Sequence, residues 1–361
     1  MTVWLLAGGG TAGHVNPLLA VADTLRRRRP EDEVLVLGTR EGLEARLVPQ
    51  RGYELVTVPK LPFPRRLNAS ALRFGPAFRS AVRDLAAEMN ERGVDAVAGF
   101  GGYAAAPAYL AARRAQLPLM LHEANARPGL ANRLGARLTE HVGVAFAGTP
   151  LRGARVVGMP LRREIETLDR LASRAEALAY FDLADDRPVL LVTGGSLGAR
   201  RLNSTLLASS EAIIAAGWSI LHIVGGRAEV SDPDVAHYRM LEYCDRMELA
   251  LSAADFAVSR AGAATVSELS ALGVPAAYVP YPVGNGEQRF NARGVVEAGG
   301  ALLVDDARFL PGWIDETLLP LLRNRDATAA MGRAAATNGV LDGADRAADL
   351  LEEALAARSL G

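Results

Sequence analysis

The sequence predicts an α/β protein of two domains, each a parallel sheet wrapped by helices. Three observations carry this. Short apolar runs rich in Val, Leu and Ala alternate with longer amphipathic stretches, the pattern of parallel strands joined by crossover helices. The chain has 361 residues, half of them apolar, enough for two sizeable cores. Finally, each half opens with the same succession of strand, glycine-rich loop and helix, around Gly8 and Gly194.

In chain order, the candidate strands of the first half are 3–7, 33–37, 94–99, 118–122 and 141–145. Those of the second half are 188–193, 219–224, 256–259, 276–279 and 301–304. Each runs into a loop holding Gly, Asn or Ser and then into a helical pattern, so both halves read as doubly wound, Rossmann-like sheets. Such sheets bind ligands outside the carboxyl ends of their strands. The boundary falls at Val157-Gly158-Met159-Pro160, where Gly and Pro precede a charged stretch. It gives domains 1–160 and 161–344, expected to face each other across a cleft. The closing stretch, 345–361, is an amphipathic helix able to cap either domain and expected to pack back on the first.

The whole chain carries 40 basic and 41 acidic residues, but the charge is unevenly placed. Residues 1–160 hold 21 basic and 13 acidic side chains, a net of +8, against −9 for the remainder. The first half thus suits an anionic surface or substrate. One cysteine, Cys244, allows no internal disulfide, and no clustered Cys/His set suggests structural zinc. The N-terminus lacks the basic and apolar regions of a signal peptide, and no run reaches the roughly 18–20 apolar residues of a membrane span. The expectation is a reducing, cytoplasmic setting, with at most peripheral contact to a membrane.

Three loops are candidates for holding a ligand. Gly8-Gly9-Gly10-Thr11-Ala12-Gly13-His14 links a strand to a helix, where freed N–H groups and the positive helix end favour an anion. Gly8, Gly10 and Gly13 also fit the G-x-G-x-x-G dinucleotide spacing, yet the next strand ends Leu37-Gly38-Thr39-Arg40, without the carboxylate that holds a ribose. An arginine there suits a phosphorylated ribose and keeps NADP as an alternative. Thr193-Gly194-Gly195-Ser196-Leu197-Gly198-Ala199 repeats the arrangement and adds the Ser196 hydroxyl. Gly99-Phe100-Gly101-Gly102-Tyr103 is the third. Any one of these reads equally well as a tight packing turn; one in each domain points to a ligand.

Several polar residues end apolar strands. His14 lies at the cleft end of the first strand, with an ordinary pKa suited to proton transfer, and is a candidate base. Asn125 offers a donor and an acceptor to an incoming hydroxyl, whereas His122 and Glu123 read as structural. In the segment running from Ser259-Arg260 to Ser267-Glu268, small residues allow close backbone approach and Glu268 suits a ribose diol. Gln288 and Asn291 lie three apart on an incipient helix, as uncharged groups for sugar hydroxyls. Of metal motifs there is only Asp232-Pro233-Asp234, which reads as a solvated turn. A leaving diphosphate would then be neutralised by backbone amides, helix dipoles and Arg162.

Between Val56 and Arg83 no acidic residue occurs, while Lys60, Arg65, Arg66, Arg73, Arg79 and Arg83 interleave with Leu61, Phe63, Leu67, Leu72, Phe74 and Phe78. One sign of charge with bulky apolar residues suits anionic lipid headgroups. No RNA-binding motif accompanies it, so nucleic acid is not expected.

Taken together, Gly9-Gly10-Thr11-Ala12-Gly13-His14, Gly101-Gly102-Tyr103, His122-Glu123-Ala124-Asn125, Gly194-Gly195-Ser196-Leu197-Gly198-Ala199, Thr265-Val266-Ser267-Glu268 and Gln288-Arg289-Phe290-Asn291-Ala292 resemble the signatures of the MurG family. The resemblance runs in order from about residue 3 to residue 345. It implies a GT-B fold of two Rossmann-like domains and an inverting transferase that moves N-acetylglucosamine from UDP-N-acetylglucosamine to lipid I at the cytoplasmic face of the membrane. It implies His14 as catalytic group, and Thr11, Ala12, Gly13, Gly102, Tyr103 and Asn125 around the acceptor. On the donor it implies Thr11, Gly13, Asn125, Arg162, Ser196, Cys244, Ala263, Ala264, Thr265, Val266, Ser267, Glu268, Gln288 and Asn291, with no cofactor and no metal ligand. Ala12 stands where the family commonly has glycine, leaving less room for a phosphate, and Glu287 where it has His or Gln. The competing readings are a GT-B transferase with another acceptor, a UDP-N-acetylglucosamine epimerase and an NADP-dependent reductase.

Overall fold

The computed structural model describes residues 1–60, 69–195, 199–283 and 286–358, with backbone only for 69–73. The chain divides into two compact units, one of Met1–Arg163 with Asp342–Gly361 and one of Glu164–Leu341.

In the first unit seven strands form one sheet: β1 (Val3–Ala7), β2 (Glu33–Gly38), β3 (Glu54–Thr57), β4 (Ala96–Gly99), β5 (Leu119–Glu123), β6 (His141–Val144) and β7 (Ala154–Val156). Their order is β3-β2-β1-β4-β5-β6-β7, every neighbouring pair parallel. Both faces are covered. Leu5, Leu35, Leu37, Val97, Leu121 and Val142 point into one apolar layer. Trp4, Leu6, Val36, Ala98 and Met120 point into the other, against Leu18, Val21 and Leu25 of the Ala12–Arg28 helix. Burial on both sides is why these strands read as continuous apolar runs.

The Gly343–Arg358 helix belongs to this unit, packing Ala347, Leu350 and Leu351 into the second layer. Arg28 reaches its Asp345 and Asp349 at 2.9 and 2.7 Å. Such exposed pairs add little, so the apolar contact does most of the holding. The helix Ala12–Arg28 begins inside the first glycine-rich loop, which places His14 within its first turn.

The second unit is a six-stranded parallel sheet of β8 (Val189–Thr193), β9 (Ser219–Ile223), β10 (Tyr238–Leu241), β11 (Ala254–Ser259), β12 (Ala276–Tyr278) and β13 (Ala301–Leu303). The order is β10-β9-β8-β11-β12-β13. Both units are therefore doubly wound, as expected, with the order reversing between β1 and β4 in one and between β8 and β11 in the other. Those switch points mark where each sheet can take a ligand. Three strands, β3, β7 and β10, escaped the sequence reading. All three are edge strands whose short runs, such as Ala154-Arg155-Val156, need no unbroken apolar pattern.

Candidate functional site

At the switch point of the first unit, the loops after β1 and β4 meet backbone to backbone. Gly102 has φ +86°, and a Cβ on it would lie 2.3 Å from the Gly9 carbonyl oxygen, so only glycine fits. That same Gly9 carbonyl lies 3.2 Å from His14 Nδ1, with Thr11 Oγ1 at 3.1 Å. A carbonyl can only accept, so Nδ1 carries the proton and Nε2 is left as an acceptor. The Nε2 edge faces Gly101, where a Cβ would sit 3.2 Å away. Burial pushes the His14 imidazole below its ordinary value, against the upward pull of Glu123, the Gly9 carbonyl and Glu44. A neutral imidazole with a bare Nε2 is what a general base requires.

Beneath this rim lies a buried polar network. The Tyr109 hydroxyl donates to Asn132 Oδ1 at 2.6 Å. Asn132 Nδ2 donates to Glu123 Oε2 at 2.9 Å and to the His122 carbonyl at 3.0 Å. Glu123 also accepts from the N–H groups of Asn125 (2.9 Å) and Gly129 (3.0 Å), which fixes the loop that presents Asn125. Gly99 and Gly135 make room for the Tyr109 ring; a Cβ on Gly99 would fall 1.9 Å from it. His122 is buried and neutral, pushed down to about 4 by desolvation, with Nε2 donating to the Gly158 carbonyl at 2.8 Å. Its role is structural, as the sequence suggested.

The first glycine loop departs from a dinucleotide site. Its Gly10 N–H is taken by the Glu44 carboxylate at 2.8 Å. A pyrophosphate approaching there would meet a buried negative charge, which removes the physical basis of the NADP reading. The start of the Ala12–Arg28 helix stays favourable to anions, with no acidic residue in its first turn and no capping bond from Thr11. Thr11 and Ala12 are exposed, Gly13, Gly102 and Asn125 half-buried, and Tyr103 exposed with Lys60 Nζ 5.7 Å from its ring centre.

On the second unit, Ser196 lies outside the described residues. The helix after its loop, Arg200–Ala208, has no acidic residue in its first turn. Behind it Asn203, His222 and Tyr238 form a closed chain: Asn203 Nδ2 donates to the Val224 carbonyl at 3.0 Å, His222 Nε2 to Asn203 Oδ1 at 3.1 Å, and the Tyr238 hydroxyl to His222 Nδ1 at 2.5 Å. Desolvation holds His222 down to about 4. The Ala263–Ala271 helix follows β11, with Gly262 at its N-cap and no acidic residue in its first turn. Ala264, Thr265, Ser267 and Glu268 are half-buried, whereas the Ala263 and Val266 side chains are buried.

Arg260, which the sequence did not single out as a site, ties the ends of β11 and β12 together. It donates to the carbonyls of Val279 (3.0 Å) and Pro280 (3.2 Å) and pairs with Asp306 at 2.6 Å. Gln288, half-buried, accepts on Oε1 from the Tyr281 N–H at 2.9 Å. Asn291, the other amide expected to read the sugar, lies deeper. It is buried, and its Nδ2 donates to the Ala261 carbonyl at 3.2 Å, because the short helix turns that side chain inward. Arg162 falls in the first unit and is half-buried; Cys244 is partly exposed in the loop after β10. Asp232 accepts from the Asp234 N–H at 3.0 Å, closing its own turn in the stretch between β9 and β10. Among the described residues no cluster of three His, Cys, Asp or Glu is placed to hold a metal ion.

Of the basic segment, residues 61–68 lie outside the described part. The Ala69–Glu91 helix stacks Phe74 on Phe78, ring centres 5.3 Å apart. A groove of about 690 Å³ beside it is lined by Phe78, Arg79, Val82, Arg83, Leu110 and Arg114, among others. Among the described residues no helix is long and apolar enough to cross a membrane.

Residues 4–144 match the glycosyltransferase family 28 N-terminal domain, and residues 189–347 match the glycosyltransferase family 28 C-terminal domain. The chain belongs to glycosyltransferase family 28. It is 67% identical over 357 residues to the UDP-N-acetylglucosamine--N-acetylmuramyl-(pentapeptide) pyrophosphoryl-undecaprenol N-acetylglucosamine transferase of Leifsonia xyli subsp. xyli, covering 99% of this chain and 100% of that one. The protein of the same name from Streptomyces coelicolor is 50% identical over 359 residues, covering 98% and 99%. The crystal structure of Acinetobacter baumannii MurG superposes with a TM-score of 0.80 at 28% identity, covering 98% of this chain and all of that one. The family 28 enzyme is thus a glycosyltransferase of the GT-B class, and the resemblance read from its loops holds. A Neisseria meningitidis UDP-GlcNAc 2-epimerase, at 15% identity and a TM-score of 0.69, shares the fold alone.

Proposed function

We propose that this family 28 enzyme transfers N-acetylglucosamine from UDP-N-acetylglucosamine to the 4-hydroxyl of the muramyl sugar of lipid I, giving lipid II for peptidoglycan synthesis. The observation that carries this reading is 67% identity across 99% of the chain with a transferase named for that reaction. The site chemistry supports it. His14 Nε2 takes the proton of the acceptor hydroxyl, whose oxygen bonds to the anomeric carbon as the bond from that carbon to the UDP phosphate breaks. The reaction is a single inverting displacement without a covalent enzyme intermediate.

Thr11, Ala12, Gly13, Gly102, Tyr103 and Asn125 surround the acceptor in this reading. Backbone amides, Ser196, Thr265 and Arg162 offset the charge that develops on the leaving diphosphate. Glu268 accepts from the ribose hydroxyls, and the Gln288 amide NH2 donates to the sugar. The basic, aromatic segment from Lys60 to Arg83 rests on anionic lipid of the inner leaflet, making the enzyme peripheral at the cytoplasmic side of the membrane. The mechanism calls for neither a cofactor nor a nucleic-acid partner.

The test is transfer of labelled sugar to a synthetic lipid I, run beside UDP-N-acetylglucosamine alone and beside an acceptor lacking the muramyl 4-hydroxyl. Labelled lipid II with lipid I only is expected. Equal labelling of the deoxy acceptor, or epimerised nucleotide sugar without acceptor, would reject the proposal. UDP should raise the melting temperature and NADPH should leave it unchanged.

A further inference from the structure

Glu44 lies outside every motif that carries the transferase reading, yet it is the fully buried carboxylate nearest the first glycine loop. Its Oε2 accepts from the Gly10 N–H at 2.8 Å. Oε1 accepts from the Thr39 N–H at 2.9 Å and the Thr39 hydroxyl at 2.7 Å. Three glycines make the cradle. A Cβ on Gly9, Gly38 or Gly42 would fall 2.4, 2.4 and 2.1 Å from Glu44 side-chain atoms. A buried charge is retained only where donors repay its desolvation, and here one of those donors belongs to the turn that carries Gly9. We infer that Glu44 is a positioning residue for His14, its carboxylate pinning the β1 loop in the turn that aims the Gly9 carbonyl at the imidazole.

The consequence is a fixed tautomer. With Gly10 held, the Gly9 carbonyl stays 3.2 Å from Nδ1 and Nε2 stays bare. Were the turn released, the imidazole would be free to place its proton on either nitrogen, and a protonated Nε2 cannot accept. The charge acts as well: Glu44 and Glu123 are the carboxylates that face His14, and both oppose the downward push of burial on it. Burial would raise Glu44 itself, but the bonds from Gly10, its own N–H and Thr39 hold it below its ordinary value, so it stays ionised at neutral pH.

The inference rests on the role proposed above for His14, and its test separates the two. In Glu44→Gln a carboxamide offers one acceptor oxygen where donors converge on two, and turns an NH2 on the other. Histidine-labelled protein is compared by nitrogen NMR with wild type, His14 being assigned from the spectrum of His14→Gln. Wild-type His14 is expected as the Nδ1–H tautomer; in Glu44→Gln the Nε2–H form appears and the titration midpoint falls. Transfer kcat then drops about tenfold to hundredfold, the cost of a misplaced catalytic group, with donor KM within about twofold of wild type. Thr39→Val removes one donor and keeps the charge, and serves if Glu44→Gln does not fold; it should move the same signals less. An unchanged tautomer with unchanged kcat in either folded variant overturns the inference. A tautomer change in an enzyme that still transfers sugar at the wild-type kcat would sustain the hold of Glu44 and sink the reading of His14 as base.

Discussion

Asn132 bears on the acceptor side without touching substrate, and its replacement by alanine is a sharp trial of the buried network. The change removes three hydrogen bonds at once: from Tyr109 at 2.6 Å, to the His122 carbonyl at 3.0 Å and to the Glu123 carboxylate at 2.9 Å. The two neutral bonds are worth about 1 kcal/mol each and the one to a carboxylate about 1.5–3, so the unit loses roughly 4 kcal/mol. At about 2–4 °C per kcal/mol for a domain of this size, its melting temperature falls by roughly 10 °C. Tyr109→Phe keeps the ring in the space left by Gly99 and Gly135 and removes only the first bond, so it should cost about a quarter as much. Calorimetry of both variants and of the pair gives the coupling. A fall under about 3 °C for Asn132→Ala, or equal costs for the two, would refute the network as the brace of the Asn125 loop.

Gly102→Ala places a methyl 2.3 Å from the Gly9 carbonyl at φ +86°, so it should depress transfer kcat more than donor KM, and wild-type kinetics would show that the two loops need not touch. The buried imidazoles of His122 and His222 are held to about 4, below the 6.5 of an unfolded histidine. Their contribution is complete above pH 6.5 and is lost as the pH falls toward 4, because the unfolded chain then binds more protons. Each site should cost about 2 kcal/mol between pH 7.5 and pH 5.0 in urea titrations, and a pH-independent midpoint contradicts this. Arg79→Gln with Arg83→Gln should weaken binding to phosphatidylglycerol vesicles roughly thirtyfold at low salt, with undiminished binding counting against the membrane face.

The interior strands were legible because burial on both faces writes them as unbroken apolar runs, as in Val3–Ala7 and Val189–Thr193. Glu54–Thr57 and Tyr238–Leu241 were not, since an edge strand tolerates charges such as Glu54 and Arg239. The candidate site residues were marked by a similar signal: His14, Asn125, Glu268 and Gln288 each come shortly after an apolar strand. What the sequence hid are the partners brought in from afar. Glu44 meets Gly10 across 34 residues and Tyr109 meets Asn132 across 23, and no local pattern marks either pair. Helical spacing placed Asn291 beside Gln288 but could not show that its amide would be buried and donate to the Ala261 carbonyl.

At the centre stands the proposal that a neutral His14, its Nδ1 directed at the Gly9 carbonyl, takes the proton of the sugar hydroxyl on Nε2. The pH dependence of kcat/KM for lipid I in wild type and in His14→Ala addresses this directly. Wild type should lose activity on the acid side with a midpoint below the ordinary histidine value, following the lowered imidazole. His14→Ala should lose that limb together with about 10²–10⁴-fold in rate. The same acid limb at a comparable rate in His14→Ala would contradict the account.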